Sequence, residues 1–111
     1  MLREDVLRKK SDFDAVYNKG KSTGSKYVVI FYLKNGSGIT RTCFLASKKV
    51  GNSVTRNRAR RLMRESFRQL KSRMPEGYDL IFIARTTIQD RVCSEVKRSM
   101  EDALRRAKLL A

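Results

Sequence analysis

The chain of 111 residues has no histidine and no tryptophan, a single proline and two cysteines. Absence of histidine removes the side chain most often used as a general base and as a metal ligand near neutral pH. Cys43 and Cys93 stand fifty residues apart with no Cys-x-x-Cys pair, so no zinc or other metal site is expected, and both are read as reduced, partly buried thiols. No paired carboxylates accompany the basic segment described below, and Cys43 falls inside an expected strand. Catalytic side chains are therefore not expected. Gly51 lacks the second glycine with Gly-Lys-Ser/Thr that a phosphate-cradling loop requires. No apolar run approaches the roughly 20 residues that span a bilayer, and Met1 to Lys10 holds no apolar stretch of signal-peptide length. The sequence reads as that of a cytoplasmic protein.

Negative charge is also scarce. Lysine and arginine number 26 against 11 aspartates and glutamates, giving a formal charge of +15 and a pI near 10.5. Self-repulsion on that scale opposes folding unless a polyanion relieves it. Nucleic acid is the first candidate partner and an anionic membrane the second. With 41% hydrophobic residues in 12.8 kDa there is material for one core and not for a second. Residues 1–111 are read as a single RNA-binding domain.

Ser11 with Asp12 and Asp14 predicts a helix start, because a hydroxyl cap and early acids satisfy free N–H groups and favour the dipole. Phe13, Val16 and Tyr17 then share a face, and Gly20 is expected to end the helix in a left-handed conformation. Lys26 to Lys34 is β-branched and aromatic, and Asn35-Gly36-Ser37-Gly38 signals a hairpin with Ile39 to Ser47 as the return strand. A further short strand between Lys21 and Lys26 stays open. A loop, Lys48 to Ser53, leads into a helix from Val54 to Met74, bounded by Pro75 and Gly77. Tyr78 to Ala84 is almost continuously apolar, as in a central strand covered on both sides. Val96, Met100, Ala103, Leu104 and Ala107 have helical spacing. The order is α-β-β-(β)-α-β-α, an α+β two-layer sandwich on a mixed, four-stranded sheet.

Between Lys48 and Arg73 lie ten basic residues and one acid, Glu65. At about 100° per residue, Ala59, Leu62, Met63, Ser66, Phe67, Leu70 and Met74 fall on one side of the helix. Asn57, Arg60, Arg61, Arg64, Arg68 and Lys71 gather on an adjoining stripe. One side packs while the other stays cationic, able to neutralise phosphates and to offer them planar guanidinium forks. Arg58, about 160° from Arg60 on the same projection, serves a different contact or the fold itself.

The stretch Lys48-Lys49-Val50-Gly51-Asn52-Ser53-Val54-Thr55-Arg56-Asn57-Arg58-Ala59-Arg60-Arg61, with Arg64-Glu65 and Phe67-Arg68 beyond it, resembles the Arg-Asn-Arg signature of the bacterial ribonuclease P protein subunit family. Asp12-Phe13 with Val16-Tyr17, and Tyr78-Asp79 with Ile83-Ala84-Arg85, extend the likeness over nearly the whole chain. Ser53, Tyr17 and Arg60 replace the family's frequent Ala, Phe and Lys, keeping size or charge.

The resemblance implies a left-handed β-α-β crossover, against the usual right-handed rule. It implies that Lys48, Lys49, Asn52, Arg56, Asn57, Arg58, Arg60, Arg61, Arg64 and Arg68 meet a catalytic RNA subunit. Phe13, Tyr17 and Phe31, bordered by Arg56, Asn57 and Arg60, would line a cleft for the 5′ leader of precursor tRNA. By their spacing alone these aromatics read first as core, and Tyr32, beside Phe31, faces the opposite way. The activity implied is that of an endoribonuclease whose RNA carries the hydrolysis with Mg2+, the protein being a monomeric accessory subunit. DNA is not an expected partner, since no helix and short turn precede the basic helix. Nor is a membrane, since the core claims the helix's apolar face.

Overall fold

The structure, a computed structural model, describes residues 5–110. Met1–Glu4 and Ala111, and with them part of the Met1–Lys10 reading and the two ends of the 1–111 domain, lie outside the described residues. The elements are α1 (Lys10–Lys19), β1 (Lys21–Gly24), β2 (Val28–Lys34), β3 (Arg41–Leu45), α2 (Ser53–Leu70), β4 (Tyr78–Ala84) and α3 (Cys93–Arg106). The strands lie in the order β1-β2-β4-β3, with β4 antiparallel to β2 and parallel to β3. A mixed, four-stranded α+β architecture therefore forms, and the strand left open between Lys21 and Lys26 is β1.

The expected hairpin does not form. Asn35 to Gly38 does turn the chain: the Asn35 side-chain oxygen accepts from Ser37 N at 2.8 Å, and Gly36 sits at φ 73°. Yet β3 does not pair with β2, because β4 is inserted between them. The two strands stand two spacings apart, about 9–10 Å, too far for a tight two-residue connection. The gap is closed by hydrogen bonds from Asn35 N to Gly77 O and from Gly77 N to Thr40 Oγ1. β4 wins the central place because it is apolar on both sides, with Leu80, Ile81 and Phe82 fully buried. Edge strand β3 is shorter than Ile39 to Ser47, but it too is lined: Val6 bridges to Thr42, and Leu7 N donates to Thr42 O.

Side chains alternate across the sheet, which separates two clusters. Val28, Ile30, Leu80, Phe82 and Ala84 face α2 and α3, which contribute Ala59, Met63, Phe67, Leu70, Val96, Met100, Ala103 and Leu104. Each Val, Leu, Ile, Phe or Met among them, when fully buried, stabilises the fold by about 1.5–3 kcal/mol before entropy is counted. α2 is capped by Asn52, whose side-chain oxygen accepts from Thr55 N at 2.9 Å. It ends at Leu70 rather than Met74, continuing as a single 3₁₀ turn over Lys71–Arg73. Leu7, Val16 and Ile81 form the second cluster on the other face, under α1, with Phe13, Phe31, Leu33, Cys43, Leu45 and Ile83 partly buried around them.

Two details of α1 depart from expectation. Lys9, not Ser11, is the capping position and gives no side-chain bond; its carbonyl accepts from Asp12 N and Phe13 N instead. The packing of Phe13 and Val16 sets the start, outweighing a cap preference of about 1 kcal/mol. Gly20 is extended (φ −80°, ψ −176°), not left-handed. Glycine is needed for closeness: a Cβ there would lie 2.4 Å from Val16 O and 2.5 Å from Tyr32 O.

Candidate nucleic-acid interface

The cationic stripe is solvent-facing as the periodicity implies. Arg61, Arg64, Arg68 and Lys71 are exposed, Arg60 is half-buried, and Lys48 and Lys49 are exposed on the 3₁₀ turn that leads into α2. Among the described residues, Lys48, Lys49, Arg56, Arg60, Arg61, Arg64 and Lys71 have no carboxylate within 4 Å. Glu65 is held by Arg68, whose hydrogen bonds keep its exposed carboxyl below the usual range. Arg60 donates to the Asn57 side-chain oxygen, a same-face pair one turn apart. Such a run of unneutralised charge on one helix is repulsive by itself.

Two residues of the sequence-derived set have work inside the protein. Asn52 caps α2, and Arg58 donates from Nη2 to Arg91 O at 2.7 Å, toward α3 rather than along the stripe. Arg56 is half-buried, and its Nε is the one buried side-chain nitrogen or oxygen without a hydrogen-bond partner among the described residues. Gly51, at φ 151°, leaves no room for a Cβ against Thr55 and makes the tight entry to α2 possible.

The aromatic set lies on the other face. Phe31 shares the α1 side with Phe13 and Tyr17, whereas Tyr32 packs into the α2/α3 core. Tyr17 is 42% exposed, and its ring meets Phe31 edge-on, with centroids 5.0 Å apart at 74°. Partial burial pushes its hydroxyl above the ordinary range, and neighbouring Cys43 adds to the shift. Pairing across the sheet aligns Phe31, Ile81 and Cys43 in one row and Val29, Ile83 and Leu45 in the next. These rows form the apolar floor that α1 leaves half-covered. No hydrogen bond or ion pair among the described residues joins Arg56, Asn57 or Arg60 to Phe13, Tyr17 or Phe31. The two sets reach the site on separate elements.

The residue reading missed a polar clamp at one end of this floor. Asp79, 4% exposed, accepts from Arg41 Nε at 2.8 Å and Nη2 at 2.7 Å, and from Asn35 Nδ2 at 2.8 Å. Arg41 Nη1 also reaches Asp12 on α1 at 3.2 Å, so one guanidinium ties α1 to β3 and β4. The bidentate bond to Asp79 is the main reason its already high pKa rises further. An aspartate within an apolar strand is the signal that points to such a partner.

The family model described as Ribonuclease P matches residues 1–108. The chain belongs to the ribonuclease P protein family. It is 42% identical over 105 residues to the ribonuclease P protein component of Pelotomaculum thermopropionicum, covering 95% of this chain and 94% of that one. The Staphylococcus aureus RNase P protein superposes with a TM-score of 0.86 at 32% identity, covering 98% of this chain and all of the other. The Thermotoga maritima protein gives 0.82 at 30% identity, covering 94% and 97%. As a ribonuclease P component the chain serves tRNA processing with an RNA partner, in a holoenzyme with endoribonuclease activity. Among the described residues no three His, Cys, Asp or Glu side chains are grouped to hold a metal ion, and no helix is long and apolar enough to cross a membrane.

Proposed function

We propose that this chain docks on the ribonuclease P RNA through the stripe formed by Lys48, Lys49, Arg60, Arg61, Arg64 and Arg68, and receives the single-stranded 5′ leader of precursor tRNA over Phe13, Tyr17 and Phe31. The observation that carries the reading is the combination, on opposite faces of one sheet, of a stripe in which, among the described residues, Arg68 alone has an acidic partner and an aromatic floor left half-covered. Exposed bases stack on aromatic faces with about 1–3 kcal/mol each and little sequence preference, which suits leaders of varied sequence. Arg56 and Asn57, in the first turns of α2, border the path between the two surfaces, and half-buried Arg56 has no acidic partner among the described residues.

Hydrolysis in this reading belongs to the RNA. Mg2+ bound by RNA phosphates supplies the activation of water and the stabilisation of the leaving oxygen. The protein monomer screens repulsion between two polyanions and holds the leader, in the cytoplasm, with no part for DNA or membrane. The test is cleavage of a precursor tRNA by a bacterial ribonuclease P RNA at low magnesium and near-physiological salt. Restoration of correct 5′ processing by the protein is expected. RNA binding without restored cleavage would reduce the chain to a structural RNA-binding protein.

A further inference from the structure

The stripe has a second edge. Where Arg64, Arg68 and Lys71 meet the outer side of β3, a cavity of about 360 Å³ opens between α2 and the Asp5–Val6 segment, with Phe44 and Phe67 in its walls. That volume is at the small end of ligand-binding clefts. Three cations and one carboxylate, Asp5, line it. Phe44 is fixed from behind by stacking on Phe82, with centroids 4.9 Å apart and planes 17° apart. The Arg64 guanidinium lies over the Phe44 ring, 5.6 Å from its centroid.

We infer that this cavity receives one unpaired nucleobase of the RNA subunit, an inference that rests on the docking reading given above. The argument is one of shape and charge. A slot with an aromatic wall and a cationic rim suits a planar base with its phosphate, and it is too small for a duplex. RNA offers such bases from loops and bulges, where they stack on aromatic rings and on guanidinium planes. The base continues the Phe82–Phe44 stack and lies beneath Arg64, whose exposed side chain rises until the guanidinium is roughly 7 Å from Phe44, two contacts of about 3.5 Å. Lys71, which has no acidic partner among the described residues, then takes the adjoining phosphate.

The test uses full-length protein and the complete RNA subunit, measuring affinity against salt. Phe44→Leu keeps an apolar wall but removes the stacking face; Arg64→Lys keeps charge but removes the plane. Both should weaken RNA binding roughly 5- to 100-fold with the salt slope unchanged. Lys71→Gln should reduce the slope by about one ion. 2-Aminopurine at the captured position should be quenched by the wild type and not by Phe44→Leu. If Lys71→Gln and Arg61→Gln weaken binding while Phe44→Leu and Arg64→Lys do not, docking stands and the base pocket falls. If none of the four changes affinity, the docking face itself is wrong. Should Phe44→Leu fail to fold, Arg64→Lys, at an exposed position, carries the decision.

Discussion

On the α2/α3 side of the sheet Val28, Ile30, Leu80 and Phe82 are fully buried, whereas on the α1 side Phe31, Leu33, Cys43, Leu45 and Ile83 are left half-buried although they are equally apolar. The helices account for the difference. α2 and α3 each bury five residues, but α1, ten residues long, buries one, Val16. One face is closed by hydrophobic packing. The other is held by a single small cluster and by the Arg41–Asp79–Asp12 clamp, and keeps apolar surface accessible. On the proposed function, stability and leader capture fall on opposite sides of the same four strands, so substitutions on the two sides should fail in different ways.

The largest effect should come from opening the closed face. Phe82→Ala removes a ring that touches both Phe44 and Phe67, and a loss of about 3–5 kcal/mol is expected in urea denaturation. A loss under about 1 kcal/mol would mean that the two faces do not differ as described. Next is the clamp. Asp79→Ala leaves Arg41 without its main partner. Because the Arg41 side chain keeps 30% exposure, the expected cost is about 2–3 kcal/mol, below that of breaking a fully buried pair. Loosened α1 should also narrow the difference in holoenzyme affinity between precursor and mature tRNA. If discrimination survives unchanged, α1 is positioned by packing alone.

Tyr17→Ala should invert the pattern of Phe82→Ala. At 42% exposure the ring contributes little to the core, so a stability change below about 1 kcal/mol is expected, while precursor tRNA binding should weaken roughly 5-fold or more and mature tRNA binding should not. Equal loss for both substrates would remove the leader from this face. The smallest effect concerns Cys43. Partial burial pushes its thiol up, against a weaker downward pull from the Phe44 backbone. A raised value means less thiolate at a given pH. Alkylation of the native protein at pH 8, followed by mass spectrometry, should therefore be slower at Cys43 than for free cysteine, and should keep accelerating above the pH where free cysteine levels off. A rate equal to free cysteine would mean that water covers the floor.

Much of this division was readable before any coordinates. The periodicity of α2 separated its packing side from its cationic stripe, and the continuous apolar run of Tyr78 to Ala84 marked a central strand. What the chain could not disclose were choices made between distant segments. Asn35 to Gly38 carries turn chemistry that does make a turn, but which strand lies beside β2 depends on β4, more than forty residues later in the chain. Gly20 reads as a helix terminator because a sequence cannot reveal that the Tyr32 carbonyl crosses over it. The clamp was hidden for the same reason: Arg41, Asp79 and Asp12 are distant in sequence, and although an aspartate within an apolar strand calls for a partner, the chain does not say which residue supplies it. Of the site residues, Arg58 and Asn52 carry motif positions yet are engaged in holding α2.

The insertion of β4 also constrains how the molecule is made. β1 and β2 are the one pair of neighbouring strands joined by a short connection, and the other two strand pairings, β2–β4 and β3–β4, require Tyr78–Ala84. A chain emerging from the ribosome has therefore synthesised its entire arginine helix before the sheet that supports it can close. Non-local closure of this kind makes folding slow relative to helix formation. Until it happens, the cationic segment stands free on a nascent chain, beside the most abundant polyanion in the cell.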